Sequence, residues 1–247
     1  MVFQDARQIL AALLQEHGES ESLAVAVSSR SLTKEEAIGN PDRKDFPLLQ
    51  GKEVLVQAEI DGWAGQAFTG DPLPYKGLVK DVLKLDPDRP GHQALLVATL
   101  NALARKMGKT DRTIHCLNNE PEECAGRVCG YFREKHGSCR VGIIGYQPAL
   151  LDACSSQFGP EQVFITDLNP DNIGQTRYGV VVWDGAKDTD KLISSADVLL
   201  ITGTILANGT YLPILNSIGD KPYYFYGTTC AAIASINQIP RLCFKSK

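Results

Sequence analysis

The chain has 247 residues, 43% of them hydrophobic and 22% charged, with a formal net charge of −4. That is enough apolar material for one large domain or two ordinary ones. The absence of any long Lys/Arg run argues against nucleic acid or an acidic membrane surface as a partner, and no apolar run reaches bilayer length.

Met1 to His17 reads as an amphipathic helix with Ile9, Leu10, Leu13 and Leu14 on one face, rather than as a signal peptide, so a cytoplasmic location is expected. Leu23 to Val27 reads as a strand. Arg30 to Leu49 is polar, carries Pro41 and Pro47, and reads as a loop. Val54 to Ile60 alternates apolar and polar residues, Asp61-Gly62 turns the chain, and Trp63 to Phe68 returns as the second strand of a hairpin. Helices are predicted near Tyr75 to Leu85 and over His92 to Met107. The second is apolar around most of its circumference and should be buried. This first part is an α+β unit. The polar stretch Gly108 to Asn119 marks a boundary, giving units of 1–112 and 113–247. A helix then starts at Pro121, with Glu120, Glu122 and Glu123 at its positive end, and stops near Gly137.

From there, strands and helices alternate: Val141–Ile144, a helix from Pro148, Val163–Ile165, Val180–Trp183, a helix near Lys191, Val198–Ile201, a helix from Tyr211 capped by Thr210, Tyr223–Tyr226, a helix from Cys230, and Leu242–Phe244. The strand runs are continuously apolar, as parallel strands covered on both faces require. The predicted fold is α/β, a doubly wound, Rossmann-like parallel sheet behind the smaller α+β unit.

In such a sheet ligands bind beyond the carboxyl ends of the strands. Those ends carry Gly145-Tyr146, Asp167-Leu168-Asn169, Thr202-Gly203-Thr204 with Asn208-Gly209-Thr210 behind, and Gly227-Thr228-Thr229-Cys230. All are small, polar or acidic. They serve equally as turn and cap residues, or they converge on one crevice. Gly142 and Gly145 give only a G-x-x-G spacing, short of the dinucleotide template. Asp167 nevertheless follows Gly142 by 25 positions, near the place of a ribose contact. Asp184 either faces the crevice or starts a turn with Gly185.

Seven cysteines, in a chain read as cytoplasmic, are expected to be reduced. Cys116, Cys124, Cys129, Cys139 and Cys154 lie close together in sequence, near His115 and His136, but their intervals of 8, 5, 10 and 15 fit no zinc ribbon. Cys124 and Cys129 fall about 140° apart on their helix. Cys230, in the first turn of a helix, is where a thiol pKa is lowered and a nucleophile is conceivable.

The segments Val141-Gly-Ile-Ile-Gly145, Val163-Phe-Ile-Thr-Asp167 with Pro170, and Ala196 to Thr204 with Asn208-Gly-Thr210 resemble a family described as heavy-metal chelation proteins (domain of unknown function 364). Leu100-Asn-Ala-Leu103 and Gly65 to Gly70 resemble that family's first domain. Thr228 departs from the pattern, standing where a proline is expected. The resemblance implies an enolase-N-terminal-like domain, a Rossmann-like domain, and a ligand site between them.

The expected function is binding of a small polar or anionic ligand, a metal chelate or its chelator, in that crevice. Amides of Gly145, Gly203, Gly209 and Gly227 would hold anionic groups, and Thr204, Thr210, Thr228 and Thr229 would add hydroxyls. Asp167 would hold a sugar hydroxyl or metal-bound water, and Asn101 would complete the site from the first unit. Two alternatives stand beside it. One is an enzyme using a nucleotide or S-adenosylmethionine with Asp167 on the ribose. The other is a thiolate metal carrier using Cys124 and Cys129. A metal ion and a nucleotide are accordingly the cofactors left open, and the apolar first unit is compatible with a homo-oligomer.

Overall fold

The computed structural model describes residues 3–16 and 26–247. His17 and the start of the strand expected at Leu23 lie outside the described residues. The first helix, α1 (Ala6–Glu16), buries Ile9, Leu10, Leu13 and Leu14. Strand β1 (Ala26–Ser31) follows, then two short helices, α2 (Lys34–Ile38) and α3 (Pro47–Gln50), within the stretch expected to be a loop. Thr33 caps α2, and Glu36 returns a bond to the Thr33 N–H, a reciprocal pair that a short polar segment needs in order to be helical. The hairpin of β2 (Val54–Ile60) and β3 (Trp63–Thr69) turns at Asp61 and Gly62, both at positive φ, as a right-twisted two-residue turn demands.

The helix expected from Tyr75 begins instead as a strand. Residues of β4 (Tyr75–Leu78) pair with β1, and only α4 (Val79–Val82) is helical. Pairing with a free sheet edge outweighs local propensity there. The antiparallel sheet has order β3-β2-β1-β4. Its inner face is covered by α5 (Pro90–Lys106), buried from Ala94 to Ala104. Gly65 makes that contact possible: a Cβ there would lie 2.2 Å from the Ala102 nitrogen and 2.5 Å from the Ala98 oxygen.

After α6 (Glu120–His136) come β5 (Val141–Ile144), α7 (Pro148–Phe158), β6 (Val163–Asp167), the short β7 (Thr176–Arg177), β8 (Val180–Asp184), α8 (Thr189–Ser195), β9 (Val198–Thr202), α9 (Thr204–Ala207), α10 (Tyr211–Ile218), β10 (Tyr223–Tyr226) and α11 (Ala231–Ile236). The sheet order is β10-β9-β5-β6-β8-β7, parallel except for β7 at the edge. Leu242–Phe244 forms no strand. This segment touches the sheet through a single bridge, Phe225 to Arg241, and a bond from the Leu242 N–H to Phe225 O. Chain progression runs one way from β5 through β6 to β8 and the other way through β9 to β10, so connections leave in opposite directions between β5 and β9.

Helices α6 and α7 cover one face of this sheet. On the other face, one continuous apolar cluster joins Leu192, Ile205 and Ile233 to Leu100 and Leu103 of α5 and to α1, so the first half of the chain is packed directly against the second. Among the described residues no helix is long and apolar enough to cross a membrane.

Candidate functional site

The parallel register sets the tips of four strands side by side: Ile144 beside Thr166 and Ile201, and Thr202 beside Tyr226. Beyond them lies a cavity of about 1080 Å³. Gly145, Tyr146, Asp167, Asn169, Thr202, Gly203, Thr204, Asn208, Gly209, Thr210, Gly227 and Thr229 all line it. From the first half, Lys52 and Glu53 before β2, Phe68, Thr69 and Gly70 at the end of β3, and Pro90 at the start of α5 close the opposite side. The Phe68 N–H donates to Thr229 Oγ1 at 3.1 Å, tying the two sides together at the rim.

Three expected residues are not on the wall. Asn101 is fully buried. Its Nδ2 donates toward the carbonyls of Gln66, Thr228 and Thr229 at 3.0, 3.2 and 3.1 Å, and its Oδ1 accepts from the Ala232 N–H at 2.9 Å. It therefore satisfies the backbone where α5, β3 and the start of α11 meet, and burial keeps it off the cavity wall. Thr228 is also fully buried, its hydroxyl lacking a hydrogen-bond partner among the described residues. Cys230 is sealed in the core, its thiol directed at Tyr226 O and Gly227 O, and burial pushes that thiol up to about 12. Desolvation outweighs the short helix behind it, so Cys230 is the reverse of an activated nucleophile.

The amides also depart from expectation. The Gly145 N–H donates to Thr166 O (2.9 Å) and the Gly203 N–H to Tyr226 O (3.0 Å), so neither is free for an anion. Gly145 is required by its φ of +94° and by Thr202, whose Cγ2 would lie 2.5 Å from a Cβ. Gly203 has an ordinary φ, but a Cβ there would meet the Cys230 nitrogen at 2.7 Å. Thr210 does not cap α10; its hydroxyl donates to Asn208 Oδ1 at 2.7 Å. Asp184 starts a turn, accepting from the Ala186 N–H and pairing with Lys187.

Asp167 organises the floor. Its Oδ2 accepts from the Tyr146 N–H (2.9 Å), and its Oδ1 from the Asn169 N–H (2.9 Å) and Asn172 Nδ2 (3.0 Å). These bonds hold two tip loops at once.

Several cavity groups were not singled out by the sequence. Glu53 enters from the first half with no hydrogen bond or ion pair among the described residues. Burial, with the Asp167 carboxylate adding to it, raises Glu53 to about 7. The Thr166 hydroxyl, at the cavity floor, has no hydrogen-bond partner among the described residues. His115 Nδ1 lies 3.0 Å from Ala37 O; a carbonyl only accepts, so that nitrogen carries the proton and Nε2 keeps its lone pair. Burial lowers the His115 pKa, favouring this neutral ring.

All seven cysteines are free. Cys124 and Cys129 do not cooperate as the carrier alternative requires. Cys129 Sγ lies 3.4 Å from Cys154 Sγ between α6 and α7, whereas Cys124 lies on the cavity wall and accepts from the Phe244 N–H at 3.3 Å. The neighbouring Cys124 thiol, with the charge of Arg241, holds Cys243 below the usual thiol range against the opposing effect of burial. Among the described residues, no three or more His, Cys, Asp or Glu side chains form a group able to hold a metal ion.

Fold and cavity together define an α/β protein with an open cavity at the carboxyl ends of a parallel sheet, faced by residues of the first half. Residues 128–236 match the model of the DUF364 family, described as "Putative heavy-metal chelation". The chain is similar to two solved DUF364 proteins of unknown function. For the one from Desulfitobacterium hafniense the TM-score is 0.56 at 12% identity, over 93% of this chain and 81% of that one. For the one from Pyrococcus horikoshii it is 0.51 at 13% identity, over 90% and 79%. The comparison with curated proteins found no match.

Proposed function

We propose that the protein binds a small polar molecule, a metal chelate or the chelator itself, in the cavity between an enolase-N-terminal-like unit (1–112) and a Rossmann-like unit (113–247). The observation that carries this reading is the convergence of twelve strand-tip residues on one cavity, faced from the other half by the unpaired Glu53 carboxyl. The strand order, with its reversal between β5 and β9, supports a ligand at that point of the sheet.

The donor set shapes the ligand. With the Gly145 and Gly203 amides taken up, recognition falls to the hydroxyls of Thr166, Thr202 and Thr204, to Asn169 and Asn208, and to the carboxyl groups of Glu53 and Asp167. A molecule with hydroxyl or amine groups toward the carboxyls and acceptors toward the threonines satisfies these groups best. Chelators built from hydroxyl, amine and carboxylate groups have this chemistry.

Isothermal calorimetry with citrate, an aminopolycarboxylate and their nickel complexes tests the reading, with ATP, NAD and S-adenosylmethionine run in parallel. Binding of a chelator or chelate by the wild type, lost in Gly70→Phe, supports it. Gly70 lines the cavity and a Cβ there meets nothing within 4 Å, so a bulky ring is accommodated at this wall without straining the fold. Heat from a nucleotide alone would replace this function with the enzyme alternative.

A further inference from the structure

The charged groups that line the cavity do not balance. Lys52 pairs with Asp171 at 2.8 Å, and Lys187 pairs with Asp184 at 2.8 Å, so both lysines on the wall already have an acid. No arginine lines the cavity among the described residues. Burial lowers the His115 pKa and keeps that ring neutral. The acids Glu53, Asp167 and Asp190 are left, and none of them forms an ion pair among the described residues. The other titratable groups on the wall do not offset them. Burial raises the phenols of Tyr146 and Tyr226, which stay neutral, and the thiols of Cys116, Cys124 and Cys243 add only negative charge when they ionise.

The unused hydrogen-bonding groups are acceptors. Three N–H bonds to Asp167 leave one of the ~four lone-pair positions of a carboxylate open. Glu53 accepts no hydrogen bond among the described residues. Thr166, next to Asp167 in β6, is only 1% exposed, and its hydroxyl has no partner among the described residues although the residue lines the cavity. Away from these groups the wall is apolar, with Phe46, Leu48, Phe68, Leu150 and Leu242.

We propose that the cavity takes an organic ammonium ion, with its N–H groups toward Glu53, Asp167 and the Thr166 hydroxyl and its carbon body against the apolar wall. A cation with several N–H donors offsets the unpaired carboxyls and supplies what Thr166 lacks, whereas an anion would be repelled. A bare metal ion would find no group of three or more His, Cys, Asp or Glu side chains among the described residues. The inference deepens the function proposed above and rests on the cavity being a ligand site. Among chelators it selects those that carry an amine over those built from carboxylates alone.

Calorimetry of the full chain with hexylammonium, hexan-1-ol and hexanoate tests the charge, because the three probes share one carbon chain. Hexylammonium should bind about tenfold or more tighter than the alcohol, and hexanoate more weakly than either. Glu53→Gln should cost the ammonium about tenfold and leave the alcohol unchanged. Burial, with the Asp167 charge adding to it, raises Glu53 to about 7, so it sheds its proton between pH ~6 and ~8; across that range the wild-type affinity for hexylammonium should rise about tenfold, and the affinity of Glu53→Gln should stay level. The wild-type probe series and pH profile decide the matter even if the variant fails to fold. Equal affinity for ammonium and alcohol, preference for hexanoate, a level wild-type pH profile, or no ammonium binding would overturn the inference. Alcohol or citrate binding that is lost in Gly70→Phe, without any preference for the ammonium, removes this inference alone. Failure of every probe and every chelator to bind removes both readings.

Discussion

Replacing Glu53 by Gln keeps the side chain's shape and removes its charge, and the effect on stability should depend strongly on pH. Glu53 rises from an ordinary 4.5 to about 7 in the folded protein, chiefly because burial penalises the carboxylate and secondarily because Asp167 repels it. At ~1.36 kcal/mol per pH unit, that difference of about 2.5 units makes the ionised form unfavourable by up to about 3 kcal/mol. The sign follows from proton counting. Below pH 4.5 Glu53 is neutral in both states and costs nothing. Between 4.5 and 7 the folded chain keeps a proton that the unfolded chain has released, so stability falls as pH rises. Above 7 the loss is complete. Glu53→Gln should therefore match the wild type near pH 4 and exceed it by up to about 3 kcal/mol at pH 8. For a chain of this size that is a rise in Tm of roughly 6–12 °C. Urea unfolding followed by circular dichroism at pH 4, 6 and 8 measures the difference directly. Parallel pH profiles for the two proteins would refute the argument, because they would mean that Glu53 titrates alike in both states.

Other expectations follow from packing. Gly65→Ala should cost about 3 kcal/mol or more in chemical unfolding, because the new methyl meets the backbone of α5, which has no rotamer to change; a loss under 1 kcal/mol would mean that α5 lifts off β3 freely. Asn101→Ala should cost about 2–4 kcal/mol by leaving the Ala232 N–H and the carbonyls of Gln66, Thr228 and Thr229 without their partner, and hydrogen exchange should show the start of α11 opening first. Gly203→Ala should lower Tm while Gly70→Phe leaves it nearly unchanged, since a Cβ at Gly203 strikes the Cys230 backbone and one at Gly70 meets nothing; equal melting temperatures would contradict this.

The strand tips were legible because a run such as Val198 to Ile201, ending in Thr-Gly-Thr, has few readings other than a buried strand and a turn. Their side-by-side placement then follows from parallel topology. Asn101 was legible as a polar residue in an apolar helix, but its role was not. Backbone groups left open by α11 and β3 claim it, and those exist only once the two halves dock. Glu53 carries no signal in sequence, being an acid in a polar stretch before a strand until docking sets it opposite Asp167. Cys243 lies beyond the last predicted helix, and only the return of the C-terminal segment along β10 brings it to the cavity wall. Cys230 misled because a helix start was weighed without the burial that reverses its effect. The strand at Tyr75 was hidden because pairing with β1, a nonlocal contact, decides the conformation of an ambiguous stretch.

The central claim is that the cavity at the tips of β5, β6, β9 and β10 is a ligand site. Native mass spectrometry of gently purified protein, wild type beside Gly70→Phe, tests it most directly. A discrete small-molecule mass retained by the wild type and missing from the variant is the predicted result. An adduct of the same mass on both proteins, or none on the wild type even after incubation with citrate and the aminopolycarboxylate, would contradict it.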